Sequence, residues 1–172
     1  MTTIRASLAF AVLALLCPAG RTQDSKIVMT HVKYGGLKQE ILKHRGKVVV
    51  VDFWAHNCGP CRKAFPHFLE MHKKHADKGL VIITVALEFE KTDEAIDSGN
   101  KFLNDKKSPF RSLLLDEPVE VWEKNFEFKA LPFYYVFDRQ GKWVRFRAVD
   151  YSPKPVPYDE LEKLVVQMLT EK

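Results

Sequence analysis

Two cysteines, Cys58 and Cys61, are the residues of this chain best placed to do chemistry, with Gly59 and Pro60 between them. A helical pattern begins at Pro60. Cys58 therefore faces the unpaired N–H groups and the positive end of a helix dipole, which favour a thiolate. Cys61 follows one turn later, close enough to form a small disulfide ring. The spacing predicts a nucleophilic thiol and a resolving thiol in one local unit, as thiol–disulfide exchange requires.

The strand that leads into this unit is expected to be buried on both faces. It opens with four consecutive valines at 48–51, and an unbroken β-branched run is typical of a strand at the centre of a sheet. Asp52 follows within the same strand. A carboxylate there is unfavourable unless it is paired or has a role, and burial disfavours its charged form. We therefore expect the pKa of Asp52 to be raised.

Strand and helix patterns alternate along the rest of the chain, which predicts an α/β sandwich with a mixed central sheet flanked by helices. The strands are predicted at 27–32, 47–55, 80–87, 113–115, 133–137 and 143–149. The helices are predicted at 37–42, 60–72, 92–107, 119–126 and 159–169, and the proline-rich segment 152–157 is predicted to be a connector.

Residues 1–20 have the pattern of a signal peptide. Arg5 gives a basic start, residues 6–17 are apolar apart from Ser7, and small residues follow. The apolar run is too short to span a bilayer. We expect cleavage near 17–23, one domain over 26–172, and a secreted or periplasmic protein. Two alternatives stay open, an uncleaved N-terminal membrane anchor and a lipid attached to Cys17.

Composition narrows the class of protein. The chain has 172 residues, enough for one domain with a core, and its net charge of +5 comes from basic residues interleaved with acidic ones. Such a balance does not indicate nucleic-acid binding. With three cysteines, one of them in the predicted signal peptide, the domain is not a disulfide-stapled scaffold. We expect a monomer that needs no cofactor beyond its two thiols.

These motifs resemble the active-site signature of the thioredoxin superfamily. The matching residues are Asp-Phe-Trp-Ala at 52–55, Cys-Gly-Pro-Cys at 58–61, and Pro66. Two features depart from it, because Asn57 stands where thioredoxins usually have Trp and residues 80–90 contain no lysine to accompany Asp52. The chain is also longer than a minimal thioredoxin around 88–116, where the secreted TlpA-like thiol–disulfide oxidoreductases carry an extra helix–strand unit.

The resemblance implies a thioredoxin fold and roles for particular residues. Asp52 would relay protons to Cys61, and Trp54 would pack beneath the active site. Pro132 would be a cis-proline facing the cysteines. Its backbone would hold an extended segment of substrate beside Cys58. The other residues expected to contact substrate are Leu131, Trp54, Gly59 and Pro60.

The implied function is a dithiol–disulfide cycle of Cys58 and Cys61 that reduces disulfides of exported proteins. Such a cycle needs a membrane or extracytoplasmic thiol as electron donor, because that compartment is oxidising. Whether the protein works as a reductant or an oxidant stays open at this point. His56 and Asn57 put hydrogen-bonding groups beside Cys58, and a charged His56 would further favour the thiolate. Glu88 is interpreted as the polar end of a strand, as is Glu90.

Two other functions use the same cysteines. In the first, a copper chaperone would bind metal through both thiols, with His67, His72 or His75 as further ligands. We interpret those histidines as solvated surface residues. In the second, a thiol peroxidase would use Cys58 against peroxide. Peroxidases of the peroxiredoxin type carry Thr or Ser three residues before that cysteine, and this chain has Ala55 there.

Replacing the nucleophile tests the redox interpretation. Cys58→Ser is expected to abolish reduction of insulin disulfides, because serine cannot form the mixed disulfide. The measurement is the turbidity of precipitating insulin chains in the presence of dithiothreitol. Full activity of this variant would contradict the interpretation.

Overall fold

Six strands form one mixed sheet in the computed structural model, which describes residues 26–151, 154 and 156–171. The strands are β1 Thr30–Val32, β2 Val48–Trp54, β3 Leu80–Ala86, β4 Arg111–Leu115, β5 Phe133–Phe137 and β6 Trp143–Arg147. Their order across the sheet is β1-β4-β3-β2-β5-β6. The first four are mutually parallel where they pair, whereas β5 is antiparallel to both β2 and β6. The predicted mixed sheet is confirmed.

Helices connect the strands and cover both faces of the sheet. They are α1 Tyr34–Leu42, α2 Gly59–His75, α3 Asp93–Asp105, α4 Val119–Phe126, α5 Ala148–Tyr151 and α6 Tyr158–Thr170, with a 3₁₀ turn at Ala76–Lys78. Each of the five predicted helices is present. The four-residue α5, immediately after β6, was not predicted.

Strand β1 is shorter than its apolar pattern predicts. The backbone N–H of Ile27 donates to the side chain of Asn104, and that of Met29 donates to the side chain of Asn100, both at 2.8 Å. These two amides on α3 satisfy main-chain groups that would otherwise pair with a neighbouring strand. Residues 27–29 therefore pack on α3, and strand pairing begins at Thr30.

Strand β2 is the buried centre of the sheet, as its sequence predicts. Alternate residues point to opposite faces, so Val48, Val50 and Trp54 join the core beneath α2, α3 and α6. Val49 and Phe53 join the other core, beneath α1 and α4. Two separate apolar layers thus hold one strand in place.

The predicted helix–strand unit within 88–116 consists of α3 and β4. Strand β4 lies between β1 and β3 and is parallel to both. The insertion therefore widens the sheet at its parallel end, away from the pairing of β2 with β5. The extra unit leaves the centre of the sheet intact.

The predicted signal peptide and Cys17 lie outside the described residues, as do positions 152, 153 and 155 of the predicted connector. Within the part of the chain that the structure describes, no helix is both long and apolar enough to cross a bilayer.

The aromatic packing beneath β2 gives a stability prediction. The Phe53 ring stacks on Phe133 with centroids 4.3 Å apart and lies 4.9 Å from Phe126. Phe53→Ala is expected to lower the free energy of unfolding by about 3–5 kcal/mol, since it leaves a cavity in a packed core. Urea denaturation measures the change.

Phe89→Ala is the matched control for this prediction. Phe89 also contacts aromatic rings, those of Trp122 and Phe128, but 57% of it is exposed. The decrease in the free energy of unfolding is expected to be clearly smaller for Phe89→Ala than for Phe53→Ala. Equal losses in the two variants would show that the Phe53 layer does not dominate stability.

Candidate functional site

The two cysteines lie at the beginning of α2 and form a disulfide, with their Cα atoms 5.3 Å apart. Cys58 is the N-cap of the helix, and its Sγ accepts a hydrogen bond from the backbone N–H of Cys61 at 3.2 Å. Pro60 lies in the first turn, where its missing N–H is not needed. The predicted placement of a thiol at a helix N-terminus is confirmed.

The two sulfurs differ in access. Cys58 is half-buried and therefore open to a partner, whereas Cys61 is 4% exposed and belongs to the core beneath α2. Gly59 and Pro60, between them, are exposed. An accessible sulfur next to a shielded one gives each cysteine a separate part in a two-step exchange.

The Leu131–Pro132 peptide bond is cis, as the resemblance implies. Register places this bond beside the cysteines, because Phe133 pairs with Phe53 across β5 and β2. Pro132 is thus level with Trp54, at the end of β2 from which the cysteine turn begins. The Pro132 carbonyl accepts a hydrogen bond from the Ala148 N–H, which anchors the loop.

Asp52 is 2% exposed and lies directly opposite Tyr134 of β5. Burial raises its pKa to about 8, as the sequence predicts. On β2 it shares a face with Trp54, the face that packs beneath α2 and Cys61. A buried carboxyl with a raised pKa therefore lies on the same face of β2 as the core that holds the buried thiol.

Trp54 is 1% exposed and packs against Phe102 of α3, with centroids 5.4 Å apart. The guanidinium of Arg62 lies 4.6 Å above the same Phe102 ring. The Trp54 carbonyl accepts from the Leu87 N–H at 2.7 Å, which ties the end of β2 to the residue after β3. The indole thus packs in the core against α3, and the backbone of Trp54 fixes the end of β2.

The sequence interpretation missed Glu88, which is not a solvated strand end. It is 2% exposed, and its carboxylate accepts a hydrogen bond from the backbone N–H of His56 at 2.8 Å. Its second oxygen lies 2.6 Å from His56 Nδ1. A sequence signal existed, because Glu88 directly follows the apolar run of a strand parallel to β2. The ends of parallel strands meet at one edge of a sheet, so this residue had to lie near the cysteine turn.

A cavity of about 450 Å³ opens beside this pair. Three of its nine lining residues are glutamates, and Asn57, which precedes Cys58 in the chain, forms part of the wall. The lining residues are His56, Asn57, Glu88, Phe89, Glu90, Thr92, Glu94, Ala95 and Ser98. A second cavity, of about 470 Å³, lies between α1 and the opposite face of the sheet, and neither cysteine lines it.

The histidines of α2 do not form a common site with the cysteines. His75 is not solvated as predicted, because it is 8% exposed and its Nε2 lies 3.1 Å from Glu162 on α6. His67 stacks on Tyr158, with centroids 4.6 Å apart. Among the residues that the structure describes, no group of three or more His, Cys, Asp or Glu side chains is arranged to hold a metal ion.

Comparison with known sequences assigns most of the chain to a family. The pattern that defines the AhpC/TSA family spans residues 31–146, well over half of the chain. Protein DipZ of Mycobacterium tuberculosis (strain CDC 1551 / Oshkosh) is 30% identical over 164 residues, which cover 92% of this chain and 22% of DipZ. The thiol–disulfide oxidoreductase ResA of Bacillus cereus (strain ATCC 10987 / NRS 248) is 33% identical over 110 residues, covering 64% of this chain and 60% of ResA. The chain thus spans less than two thirds of either relative.

Among solved structures, the fold is similar to the thioredoxin domain of a thiol–disulfide oxidoreductase from Bacteroides vulgatus. The TM-score is 0.56 and the sequences are 28% identical, over 73% of this chain and 84% of that one. The expected thioredoxin fold is confirmed.

The buried carboxyl gives a pH prediction. The folded pKa of Asp52, about 8, lies above its ordinary value of 3.8, so the unfolded chain loses the proton first as pH rises. Relative to Asp52→Asn, the wild-type protein should lose stability by about 1.4 kcal/mol per pH unit between pH 4 and pH 8. Below pH 4 the difference between their free energies of unfolding should be constant.

Urea denaturation of both oxidised proteins, repeated across this pH range, measures the difference. A difference independent of pH would mean that the Asp52 carboxyl is ionised in the folded protein.

Proposed function

The chain belongs to the AhpC/TSA family, within the thioredoxin superfamily and its TlpA-like branch, and from this premise we propose that it is a thiol–disulfide oxidoreductase acting on proteins. The observation that carries the proposal is the pair of sulfurs at the N-terminus of α2. Cys58 is accessible and is the N-cap residue of the helix, and its disulfide partner Cys61 is buried. This difference in solvent exposure suits thiol–disulfide exchange, because one sulfur must reach the partner protein and the other must then attack the mixed disulfide.

The reductive half of the cycle begins with both cysteines reduced. The Cys58 thiolate attacks one sulfur of a client disulfide, a mixed disulfide forms, and the other client sulfur leaves as a thiolate that takes up a proton. Cys61 then loses its proton and attacks Cys58 Sγ. This step forms the Cys58–Cys61 disulfide and releases the second client thiol. Two electrons have passed to the client, and the oxidised form that results is the one described here.

Helix geometry favours the first of these steps. Reduced Cys58 would keep the hydrogen bond from the Cys61 N–H and the positive end of the α2 dipole, and both favour its thiolate. When Cys61 attacks Cys58 Sγ, the client sulfur is the leaving group and Cys58 remains in the new disulfide. The helix N-terminus therefore supports attack on the client, and release of the client depends on the thiolate of Cys61.

Asp52 is proposed to serve the second step as a proton relay. Cys61 must lose its proton inside an apolar core, where a free thiolate is unfavourable. The carboxyl on the same core face can exchange a proton near neutral pH, because burial raises its pKa to about 8. The lysine that often accompanies this aspartate in thioredoxins has no counterpart in 80–90, so burial alone sets this pKa.

Clients are proposed to bind across the exposed edge formed by the cysteine turn and the cis-proline loop. The backbone on either side of Pro132 would pair with an extended client segment, as a short added strand. Leu131, half-buried and in contact with both core layers, would fix that loop. Gly59 and Pro60, both exposed, would complete the contact surface around Cys58. Trp54, which the resemblance also places among the substrate contacts, is 1% exposed and would lie in the core instead.

The clients are proposed to be exported proteins, with an extracytoplasmic or membrane thiol as the electron donor. The signal-peptide pattern of residues 1–20 supports this location. ResA and DipZ are relatives of the chain, but each extends well beyond the matched region. Donor and client are therefore assigned by chemical class alone.

Trapping the mixed disulfide tests the proposal. Cys61→Ser is expected to accumulate a covalent adduct with a disulfide-containing protein such as insulin, because Cys58 attacks and no second thiol resolves the adduct. The adduct is read by non-reducing electrophoresis and disappears with dithiothreitol. Cys58→Ser is the control and should form no adduct.

The same preparations distinguish the thiol peroxidase alternative. If reduced wild-type protein consumed hydrogen peroxide rapidly and Cys61→Ser formed no adduct with insulin, the peroxidase would be the better assignment. Ala55 offers no hydroxyl to orient a peroxide, so we expect slow consumption.

A further inference from the structure

The turn between β2 and the cysteines is fixed by a polar cluster on its cavity side. The backbone N–H of His56 donates to Glu88, and the His56 carbonyl accepts from the Arg62 guanidinium at 3.2 Å. Cys58 itself donates its backbone N–H to the Ala55 carbonyl at 3.1 Å. His56 is thus held on both sides, two residues before the accessible sulfur.

Glu88 holds the His56 ring as well as its backbone. The 2.6 Å separation between Glu88 Oε2 and His56 Nδ1 is that of a charge-assisted hydrogen bond. Glu88 is buried, while 27% of the His56 side chain is exposed. The carboxylate is therefore more deeply buried than the imidazole, which lies two residues before Cys58 in the same turn.

We propose that Glu88 is a positioning residue that keeps a positively charged His56 imidazole beside Cys58, and that this pair sets the reduction potential of the Cys58–Cys61 couple. The inference rests on the proposed function and deepens it. The Glu88–His56 pair belongs to the turn in which the chain departs from the thioredoxin signature.

Electrostatics gives the direction of the effect. Reduction of the disulfide creates a thiolate at Cys58, whereas the oxidised form carries no charge there. A cation beside Cys58 therefore stabilises the reduced state and makes the couple more oxidising. The Glu88 carboxylate opposes this, but it is buried, whereas the imidazole is partly exposed and belongs to the turn that carries Cys58.

Other charged groups face the same space from each surrounding element. Arg62 of α2 adds a second positive group through its contact with the His56 carbonyl. Glu90, in the loop after β3, and Glu94, on α3, are exposed and line the cavity with negative charge. The remaining polar lining groups, on Asn57, Thr92 and Ser98, are neutral. Glu88 is the buried carboxylate among them and the one bonded to His56.

The test compares Glu88→Gln and His56→Gln with the wild-type protein. Glu88→Gln keeps an oxygen for the His56 N–H but removes the charge that holds the imidazolium, and His56→Gln removes the imidazole. Each is expected to shift the equilibrium constant with glutathione at least tenfold toward the disulfide form, which is about 30 mV for this two-electron couple. Thiol trapping across a glutathione series at pH 7 measures the shift.

A second readout separates charge from structural support. In both variants, the pH at which half of Cys58 reacts with iodoacetamide should rise, because the thiolate has lost its neighbouring cation. The double variant should shift no further than either single variant, since the two residues act as one unit. A purely structural role would lower the free energy of unfolding and would leave both the glutathione equilibrium constant and the pH of half-reaction with iodoacetamide unchanged.

Glu90→Gln is the matched control. It removes one carboxylate from the same cavity without touching His56, and it should leave the glutathione equilibrium within twofold or shift it toward the reduced form. The inference is overturned if both Glu88→Gln and His56→Gln stay within twofold of wild type, or if Glu90→Gln reproduces their shift. Because His56 is partly exposed, His56→Gln is expected to fold. If Glu88→Gln does not fold, the shift measured for His56→Gln alone supports or overturns the inference.

Failure of the proposed function would look different. In that case the wild-type Cys58–Cys61 pair would show no reversible titration against glutathione at all. A reversible wild-type titration with unshifted variants rejects the Glu88–His56 inference and leaves the oxidoreductase proposal standing.

Discussion

Burial of one strand on both faces is the constraint on which this structure depends. Every residue of β2 is at most 2% exposed, so each face must be covered by its own apolar layer. Helices α2, α3 and α6 cover one face, and α1 and α4 cover the other. A strand held this firmly ends at a defined point. The cysteine turn begins at that point, and its geometry follows from the core rather than from the turn.

The sheet then brings three separate stretches of chain to the same edge. Parallel pairing with β3 brings Glu88 to the end of β2, and antiparallel pairing with β5 brings the cis Leu131–Pro132 bond there. The site therefore has a cysteine turn, a carboxylate behind it and a backbone loop beside it. The inserted α3–β4 unit adds a wall with Glu94 and Ser98, opposite His56 and Asn57 of the turn that leads to Cys58.

Two buried carboxyl groups near the cysteines have opposite environments. Asp52 is enclosed by the core, and burial raises its pKa to about 8, which suits exchange of a proton with Cys61. Glu88 instead accepts two hydrogen bonds from His56, one of them from the backbone. One carboxyl thus lies on the face of β2 that packs beneath α2, and the other is bonded to His56 in the turn that leads to the accessible sulfur. The two thiols therefore have different electrostatic neighbours although they are three residues apart.

The sequence by itself determined the pair of cysteines, the strand and helix that present it, and the mixed sheet, because each is written in adjacent residues or in a periodic pattern. The extra helix–strand unit and the cis-proline were implied by the resemblance to the thioredoxin superfamily. The tertiary structure alone decided the partners of Glu88 and His75 and the late beginning of β1. These depend on contacts between distant residues, such as the 32 positions between His56 and Glu88. Whether an acidic residue after a strand is solvated or buried is set by what packs on it, and local pattern carries no record of that packing.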